Sequence, residues 1–441
     1  MAKYSLPRGT KDYLKEECAR YDYINNVLSE MATLYGFEHI QTPIFEHTDV
    51  FTRSVGESSD IVNKEMYTFL DKGGRSITLR PEGTAGVCRA YVENKCYATC
   101  EIPFKAYYSG PVFRYERPQA GRYRQIHQFG FEVIGVKNPY LDVEIILLAH
   151  QSLLALGITN YVFKLNCIGD DESRNNYKQA LKEYFEPHLN ELCEDCKVRF
   201  IKNPLRILDC KVDGDKEVIK NAPRISKYLT EDSKNYFVKV CMLLDKYQVP
   251  YEIDQSLVRG LDYYTGTVFE IACLGPNGEN FGAIGGGGRY DNLIKEFDGP
   301  DTPAFGMAFG MERLLLIMDK YNLFNADLIR TFSYCMPIGE ENMEYASFIC
   351  NYLRSNGFPC DIDYRNRSIK AMFKTVDKRH AQFALIIGDD ERKNNTVNVK
   401  NNETKEQVNI KFEQLIPFFE NYFNNFSKHH DECHCDECKG E

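Results

Sequence analysis

The chain has 441 residues, with 54 Lys and Arg against 64 Asp and Glu, a net charge of −10, and 43% hydrophobic residues. At roughly 100 to 200 residues per domain this length allows about two to four domains, each with its own core, which excludes a disordered tail protein and a disulfide-stapled mini-domain. The acidic balance argues against a general polyanion binder, without saying where the positive charge lies. No apolar run reaches about 18 residues and the start, MAKYSLPRGTKDY, has no signal-peptide core, so a soluble, cytoplasmic protein with no membrane segment is expected.

Apolar positions Leu14, Cys18, Tyr21, Leu28, Met31 and Tyr35 follow helical spacing and Gly36 supplies a stop, which predicts a long amphipathic helix. From there to about residue 135 strand-like runs dominate: HIQTPIF, MYTFL, SITLR, FKAYYS, PVFRYE and QIHQFGFEVI, with DKGGR (71–75) as a hairpin turn. Sequential strands on short turns predict an antiparallel sheet. Residues 140–156 read as helix and 161–167 as strand. The stretch 170–252, rich in Lys, Glu, Asn and Asp, reads as a helical insertion. Strands return at 265–273 and 304–310, and the second runs directly into the helix MERLLLIMDKY. From Thr331 to about Ile410 strand and helix alternate, which predicts a separate α/β unit with a largely parallel sheet. The expected division is therefore a first domain in two parts, 1–169 and 253–325, an insertion at 170–252, an α/β domain at 330–420 and a disordered Cys/His tail at 421–441.

Five segments carry possible chemistry. VFRYERPQAGRYRQIHQFGFEVIG (112–135) reads as two strands joined by a loop. Parity puts Phe129, Phe131 and Val133 on one face of the second strand and Gln128, Gly130 and Glu132 on the other, so a polar face with a central glycine has room for a bound molecule. Arg114 and Glu116 likewise share a face. From Arg114 to Arg124 four Arg and one Glu give +3, although taken alone this is equally a solvated hairpin with surface ion pairs. LVRGLDYYTGTVFE (257–270) brings Arg259, Asp262, Tyr263 and Tyr264 to the start of a strand, or is an ordinary turn covering a sheet edge.

In FGAIGGGGRYDNL (281–293), Gly285 to Gly288 permit close approach of a flat ligand to the backbone, while no P-loop or dinucleotide fingerprint is present. PAFGMAFGMERLLL (303–316) places Arg313 in the first turn of a helix, where the helix dipole also favours a phosphate, unless Arg313 simply pairs with Glu312 at the surface. TLRPEGTA (78–85) sets Glu82 between a strand and a helix starting near Thr84, as a helix-start residue or as a partner for a ligand ammonium.

In this order and at this spacing the segments resemble the class II aminoacyl-tRNA synthetases, and among them the histidyl-tRNA synthetase family, from PRGTKDY (7–13) to about residue 412. GFEHIQTPIFEHTDVF (36–51) resembles the dimer-interface motif 1, FRYERP through FGFE motif 2, and GMAFGMERLLL motif 3; LVRGLDYYTGTVFE and GGGGRYD resemble two elements specific to the histidine enzymes. The resemblance implies an α+β fold: a class II antiparallel sheet flanked by helices, a helical insertion and a C-terminal α/β anticodon-binding domain. It implies a homodimer that activates L-histidine with ATP and Mg2+ to histidyl-adenylate and passes the acyl group to the 3' end of tRNA(His).

The same resemblance implies residue roles. Arg114 and Arg259 would be catalytic, holding the α-phosphate from opposite sides; Arg313 would hold the γ-phosphate, with Glu116 and Arg122 completing the ATP site. Glu82, Thr84 and Gln128 would bind the α-ammonium of histidine, Glu132 and Tyr264 its two ring nitrogens, and Tyr263 would line the pocket. An imidazole offers one donor and one acceptor, which a phenol and a carboxylate can satisfy. Gln119 and Arg122 in the motif 2 loop, and Arg365, Arg367, Lys370 and Lys374 in a segment (365–379) with six Lys and Arg against one Asp, would contact tRNA. A solvated helix face is the plainer reading of that segment. A non-catalytic, synthetase-like regulatory subunit and a class II synthetase for another amino acid stand as alternatives; the first tends to lack the C-terminal domain and an intact RGLDYY segment.

Two cysteine groups remain. Cys193 and Cys196, with Cys210, have zinc-like spacing, but no fourth ligand is evident in the sequence and no zinc is expected there. The tail offers His429, His430, Cys433, His434, Cys435 and Cys438, enough ligands for one metal, beyond the reach of the resemblance and incidental to aminoacylation.

Overall fold

A computed structural model of the chain describes residues 4–56, 61–118, 121–210, 212–258, 260–324 and 332–422. The chain divides into two compact units, one ending at Phe324 and the other beginning at Asn325. None of the described helices is long and apolar enough to cross a membrane.

The strands of the first unit are β1 (Glu38–His39), β2 (Phe45–His47), β3 (Tyr67–Leu70), β4 (Ser76–Leu79), β5 (Phe104–Phe113), β6 (Gln125–Ile134), β7 (Tyr161–Cys167), β8 (Tyr251–Ile253), β9 (Thr265–Leu274), β10 (Asn280–Arg289) and β11 (Ala304–Gly310). Eight of them form one sheet in the order β1-β5-β6-β11-β10-β9-β7-β8. Its inner pairs are antiparallel, as the short turns predict, and only the edge pairs β1·β5 and β7·β8 run parallel. The run HIQTPIF is not one strand: the chain passes Pro43 between β1 in the large sheet and β2 in a small sheet ordered β2-β4-β3.

FKAYYS and PVFRYE, by contrast, merge into the ten-residue β5. Strand β1 reaches only Ala106 and Tyr107, so Pro111 lies where β5 has a single neighbour and a missing N–H is tolerated. The DKGGR turn joins β3 to β4, with the Asp71 carboxylate accepting the backbone N–H of Gly73 and Arg75 at 2.8 and 2.9 Å.

One face of the large sheet is the core. Phe129, Phe131, Phe269, Phe305 and Phe309 point into it and are covered by Leu28 of helix Glu16–Leu34, Ile145 and Ile146 of helix Pro139–Ala155, Val240 and Leu244 of helix Glu231–Lys246, and Leu314 and Ile317 of helix Met311–Lys320. A buried polar network pins three of these elements together. Arg289 at the end of β10, 1% exposed, donates to Asp142 at 2.5 Å, to the Tyr236 hydroxyl at 3.2 Å and to the Val136 carbonyl at 3.1 Å. The stretch 170–252 plays two parts. Residues from helix Asp171–Phe185 to Ile225 build a small core of their own around Tyr177, Leu181, Phe185, Ile207 and Ile219, whereas helix Glu231–Lys246 and β8 pack with the main sheet.

The second unit has β12 (Ser333–Pro337), β13 (Cys360–Ile362), β14 (Phe383–Ile387), β15 (Thr396–Asn401) and β16 (Gln407–Lys411), in the order β13-β12-β14-β15-β16. The first three are parallel, joined by helices Met343–Ser355 and Ile369–Lys378, which cover opposite faces through Ile349 and Leu353 and through Met372 and Val376. The expectation of a largely parallel sheet fails at its far edge, where β14, β15 and β16 are antiparallel. Only Val397 and Val399 of β15 are buried, so the hairpin has too few apolar positions to stand out in the sequence.

Removing one member of a buried ion pair leaves the other uncompensated, at a cost of about 3–5 kcal/mol. Arg289→Leu should lower the unfolding free energy by about that amount, read from the denaturant midpoint of the first unit's transition.

Candidate active site

The face of the large sheet opposite the core is floored by small residues. Gln128, Gly130 and Glu132 of β6 stand opposite Gly310, Ala308 and Gly306 of β11, and the last two stand opposite Gly286 and Gly288 of β10. A Cβ on Gly306 would come within 1.8 Å of the Glu132 carboxylate, and one on Gly130 within 2.3 Å of the Tyr108 ring. The glycines of FGAIGGGG are therefore strand interior, and their missing side chains let larger groups lie close over the sheet. Above this floor is a cavity of about 410 Å3.

One end of the cavity is a closed polar pocket. Glu82, 3% exposed, accepts the backbone N–H groups of Thr84 and Ala85 at 2.9 and 2.7 Å at the start of helix Thr84–Glu93. The Thr84 hydroxyl donates to Glu132 at 2.6 Å, the Tyr290 hydroxyl donates to the other Glu132 oxygen, and the Tyr263 hydroxyl donates to Glu82 at 3.4 Å. Rings of Tyr263 and Tyr264, 4.7 Å apart between centroids, form a wall. Burial pushes both carboxyls up. Glu132 is fully buried and is raised to about 8 by loss of solvent, with the charge of Glu82 adding to the shift and the hydroxyls of Thr84 and Tyr290 opposing it. Oε1 of Gln128 is buried without a hydrogen-bond partner among the described residues. A buried orphan acceptor costs about 1–3 kcal/mol, which a ligand donor would recover.

The other end is cationic. Arg114, Arg122 and Arg313 line it, together with the carboxylates of Glu116 and Glu270. Arg114 is aimed by a 2.8 Å bond to the Pro81 carbonyl, and Arg313 by one to the Ala283 carbonyl. Burial and the neighbouring charges of Arg122 and Arg114 lower the Arg313 guanidinium below its ordinary value, as expected of cations gathered around a place for an anion. The surface pairing of Arg313 with Glu312 is overturned. Glu312 turns inward, 6% exposed, and accepts the His127 N–H at 3.0 Å and the Tyr13 hydroxyl at 3.1 Å. Tyr13 belongs to the PRGTKDY segment, which also docks through Gly9, whose carbonyl accepts the Arg124 N–H at 2.7 Å.

The fold thus gathers Glu82, Thr84, Arg114, Glu116, Arg122, Gln128, Tyr263, Tyr264 and Arg313 around one cavity, with Glu132 bonded to two of its lining residues. Gln119 and Arg259 lie outside the described residues. The neighbours of Arg259 are nonetheless held: Arg206 of the insertion donates to the Gly260 carbonyl at 2.7 Å and to Asp262 at 2.9 Å. Asp262 is therefore an anchor of its loop. Sequence reasoning missed Tyr290, Tyr108 and Glu270, of which Tyr290, next to the glycine run, and Glu270, at the end of LVRGLDYYTGTVFE, stood in segments already singled out.

In the second unit Arg365, Lys370 and Lys374 are exposed beside or on helix Ile369–Lys378. Arg367 differs: its guanidinium lies against Asp363 and donates to the Thr375 hydroxyl at 2.9 Å. Arg379 is similarly paired with Asp361, so the open cationic face is narrower than the +5 of the segment suggests.

The family model described as histidyl-tRNA synthetase matches residues 9–314, and that described as anticodon binding domain matches residues 333–422. A histidine–tRNA ligase of Bacillus licheniformis is 46% identical over 418 residues, covering 94% of this chain and 98% of that relative. One of Staphylococcus aureus is 46% identical over 422 residues, covering 94% and 99%. The crystal structure of apo S. aureus histidyl-tRNA synthetase superposes with a TM-score of 0.81 at 40% identity, covering 94% of this chain and 99% of that one.

Because the folded Glu132 carboxyl sits near 8, above its ordinary 4.5, its protonated form favours the fold. That contribution is complete below pH 4.5 and is lost as pH rises through 8. Glu132→Gln cannot ionise, so its melting temperature relative to the parent should climb between those limits and level off above them. A difference that stays constant with pH would contradict the shifted carboxyl.

Proposed function

This chain belongs to the histidyl-tRNA synthetase family, and from that premise we propose that it activates L-histidine with ATP and transfers it to tRNA(His) through the residues of this one cavity. The observation that carries the reading is the polarity of the site: a pair of buried carboxyls with an unpartnered Gln128 oxygen at one end, and a guanidinium cluster at the other. A zwitterion that also carries an imidazole fits that gradient end to end. Its ammonium goes to Glu82, Thr84 and Gln128, its ring to Glu132 and Tyr264 beside Tyr263, and its carboxylate points towards the arginines.

At neutral pH Glu132, raised to about 8, holds a proton, so carboxyl and ring share one proton and the pair is matched to a basic heteroaromatic side chain. A side chain without ring nitrogens would leave Glu132 and Tyr264 unpaired in a buried site, the condition under which selectivity is strongest.

Activation forms a bond from the histidine carboxylate oxygen to the α-phosphorus and breaks the bond from that phosphorus to the departing pyrophosphate. No side-chain nucleophile is required; orientation and positive charge are. In this reading Arg114 and Arg259 would hold the α-phosphate from opposite sides and Arg313 the γ-phosphate, with Glu116 and Arg122 completing the ATP site. Glu116 and Glu270, hard oxygen donors beside the cluster, fit a Mg2+ ion arriving with ATP, which when bound would neutralise charge on the pyrophosphate. For tRNA, Gln119 and Arg122 in the motif 2 loop would meet the acceptor end, and the exposed Arg365, Lys370 and Lys374 the anticodon end, with Arg367 acting through Asp363 to shape that surface. The active form would be a cytoplasmic homodimer, consistent with exposed Ile44, Phe45, Phe69 and Leu70 in and beside motif 1.

The test is histidine-dependent exchange of labelled pyrophosphate into ATP. Exchange should require histidine and fall about 10²–10³-fold in Arg313→Ala. Arg259→Ala should lower the adenylation rate far more than it weakens histidine binding measured without ATP. Absence of exchange with histidine would favour a regulatory relative, and exchange with a different amino acid would move the specificity elsewhere.

A further inference from the structure

We propose that the insertion is built around a structural zinc ion held by Cys193, Cys196, Cys210 and Asp213. The sequence leaves the fourth ligand unseen, and the fold supplies it. One ligand atom from each of the four residues lies within 4.8 Å of all the others. Sγ of Cys193 and Sγ of Cys210 are 3.7 Å apart. Four ligands around zinc with metal–sulfur bonds of about 2.3 Å define a tetrahedron whose edges are about 3.8 Å, and the Cys193–Cys210 pair is already at that spacing.

The ligands come as two matched pairs, Cys193-x-x-Cys196 and Cys210-x-x-Asp213, with 13 residues between the pairs. That is the two-turn pattern of structural zinc sites with a carboxylate in place of the last thiolate. Asp213 is fully buried and accepts the Cys193 N–H at 2.8 Å, while its own N–H points at Sγ of Cys210 at 3.4 Å. Backbone bonds of this kind orient ligands before metal arrives. Lys216, with Nζ 2.8 Å from the second Asp213 oxygen, would offset part of the negative charge that three thiolates and a carboxylate bring to one divalent cation.

The insertion also has a use for such an ion. Its own core is small, with Cys196 and Cys210 counted in it, and a unit of this size commonly needs a staple. The segment between the two ligand pairs carries Arg206, whose bonds to Gly260 and Asp262 hold the loop around Arg259. A second thiol cluster provides the contrast. Cys335, Cys350 and Cys360 are all buried in the apolar core of the second unit and are grouped with no His, Asp or Glu among the described residues, and Cys350 donates to the Cys360 carbonyl at 3.4 Å. Those three are core thiols.

Full-length protein purified under reducing conditions without chelator should carry tightly bound zinc, measured by plasma mass spectrometry. Cys433→Ser/Cys435→Ser/Cys438→Ser, which removes the tail thiols, should retain about one zinc per chain, and Cys196→Ser/Cys210→Ser should lose it. Metal-free protein given Co2+ should show tetrahedral thiolate–cobalt absorption, and Asp213→Cys should keep zinc and raise the thiolate charge-transfer band by about a third, one thiolate added to three. That variant keeps the site readable if the double serine variant does not fold. The proposal is overturned if the parent binds no zinc even when reduced and supplied with it, if the metal follows the tail variant, or if Asp213→Cys leaves the cobalt spectrum unchanged.

Discussion

The antiparallel register of β6 against β11 is the constraint on which the site depends. Glu132 faces Gly306, Gly130 faces Ala308 and Gln128 faces Gly310, so one face of the pair carries the functional groups and the facing strand contributes almost no volume. The other face of the same two strands carries Phe129, Phe131, Phe305 and Phe309 into the core. A slip of one residue would bury the carboxylate among phenylalanines and turn the phenylalanines into the cavity, so core packing and cavity fix each other.

The cavity's two ends differ by the same physics working in opposite directions. Loss of solvent raises Glu132 and Glu82 towards neutrality, and burial, with crowding by Arg122 and Arg114, makes the charge on Arg313 costly in the absence of an anion. Both ends are thus under electrostatic tension, of opposite sign, in the unliganded protein. Positive charge elsewhere is more diluted than a count of residues suggests, because Arg367 and Arg379 are matched by Asp363 and Asp361. Tight local pairing leaves a protein with a net charge of −10 only a few exposed cations, such as Arg365, Lys370 and Lys374, on the segment 365–379.

Much of this was legible in the sequence because it rests on period and parity. The alternation Gln128, Gly130, Glu132 against Phe129, Phe131, Val133 named both faces of β6 correctly, and the alternating strands and helices after residue 331 gave the parallel part of the second sheet. What was not legible depends on contacts between segments far apart in the chain. The inward turn of Glu312 needs His127 and Tyr13, the role of Tyr290 needs Glu132 above it, and the anchoring of Asp262 needs Arg206 from the insertion. Asp213 was missed for a different reason: an aspartate three residues after a cysteine is too common a pair to mark anything until folding brings Cys193 and Cys196 beside it.

The glycine floor has a consequence for how such a pocket can change. Side chains can rotate, shrink or be exchanged, but a floor of bare backbone has no rotamers, and its height is set by hydrogen-bonded strands spaced about 4.8 Å apart. Gly130 and Gly306 leave no room for even a methyl group, since its carbon would fall within 2.3 Å of the Tyr108 ring and 1.8 Å of Glu132. The depth of the cavity is therefore effectively frozen, and a change in the shape of what fits it must come through side chains that can be exchanged, such as those of Tyr263, Tyr264 and Tyr290.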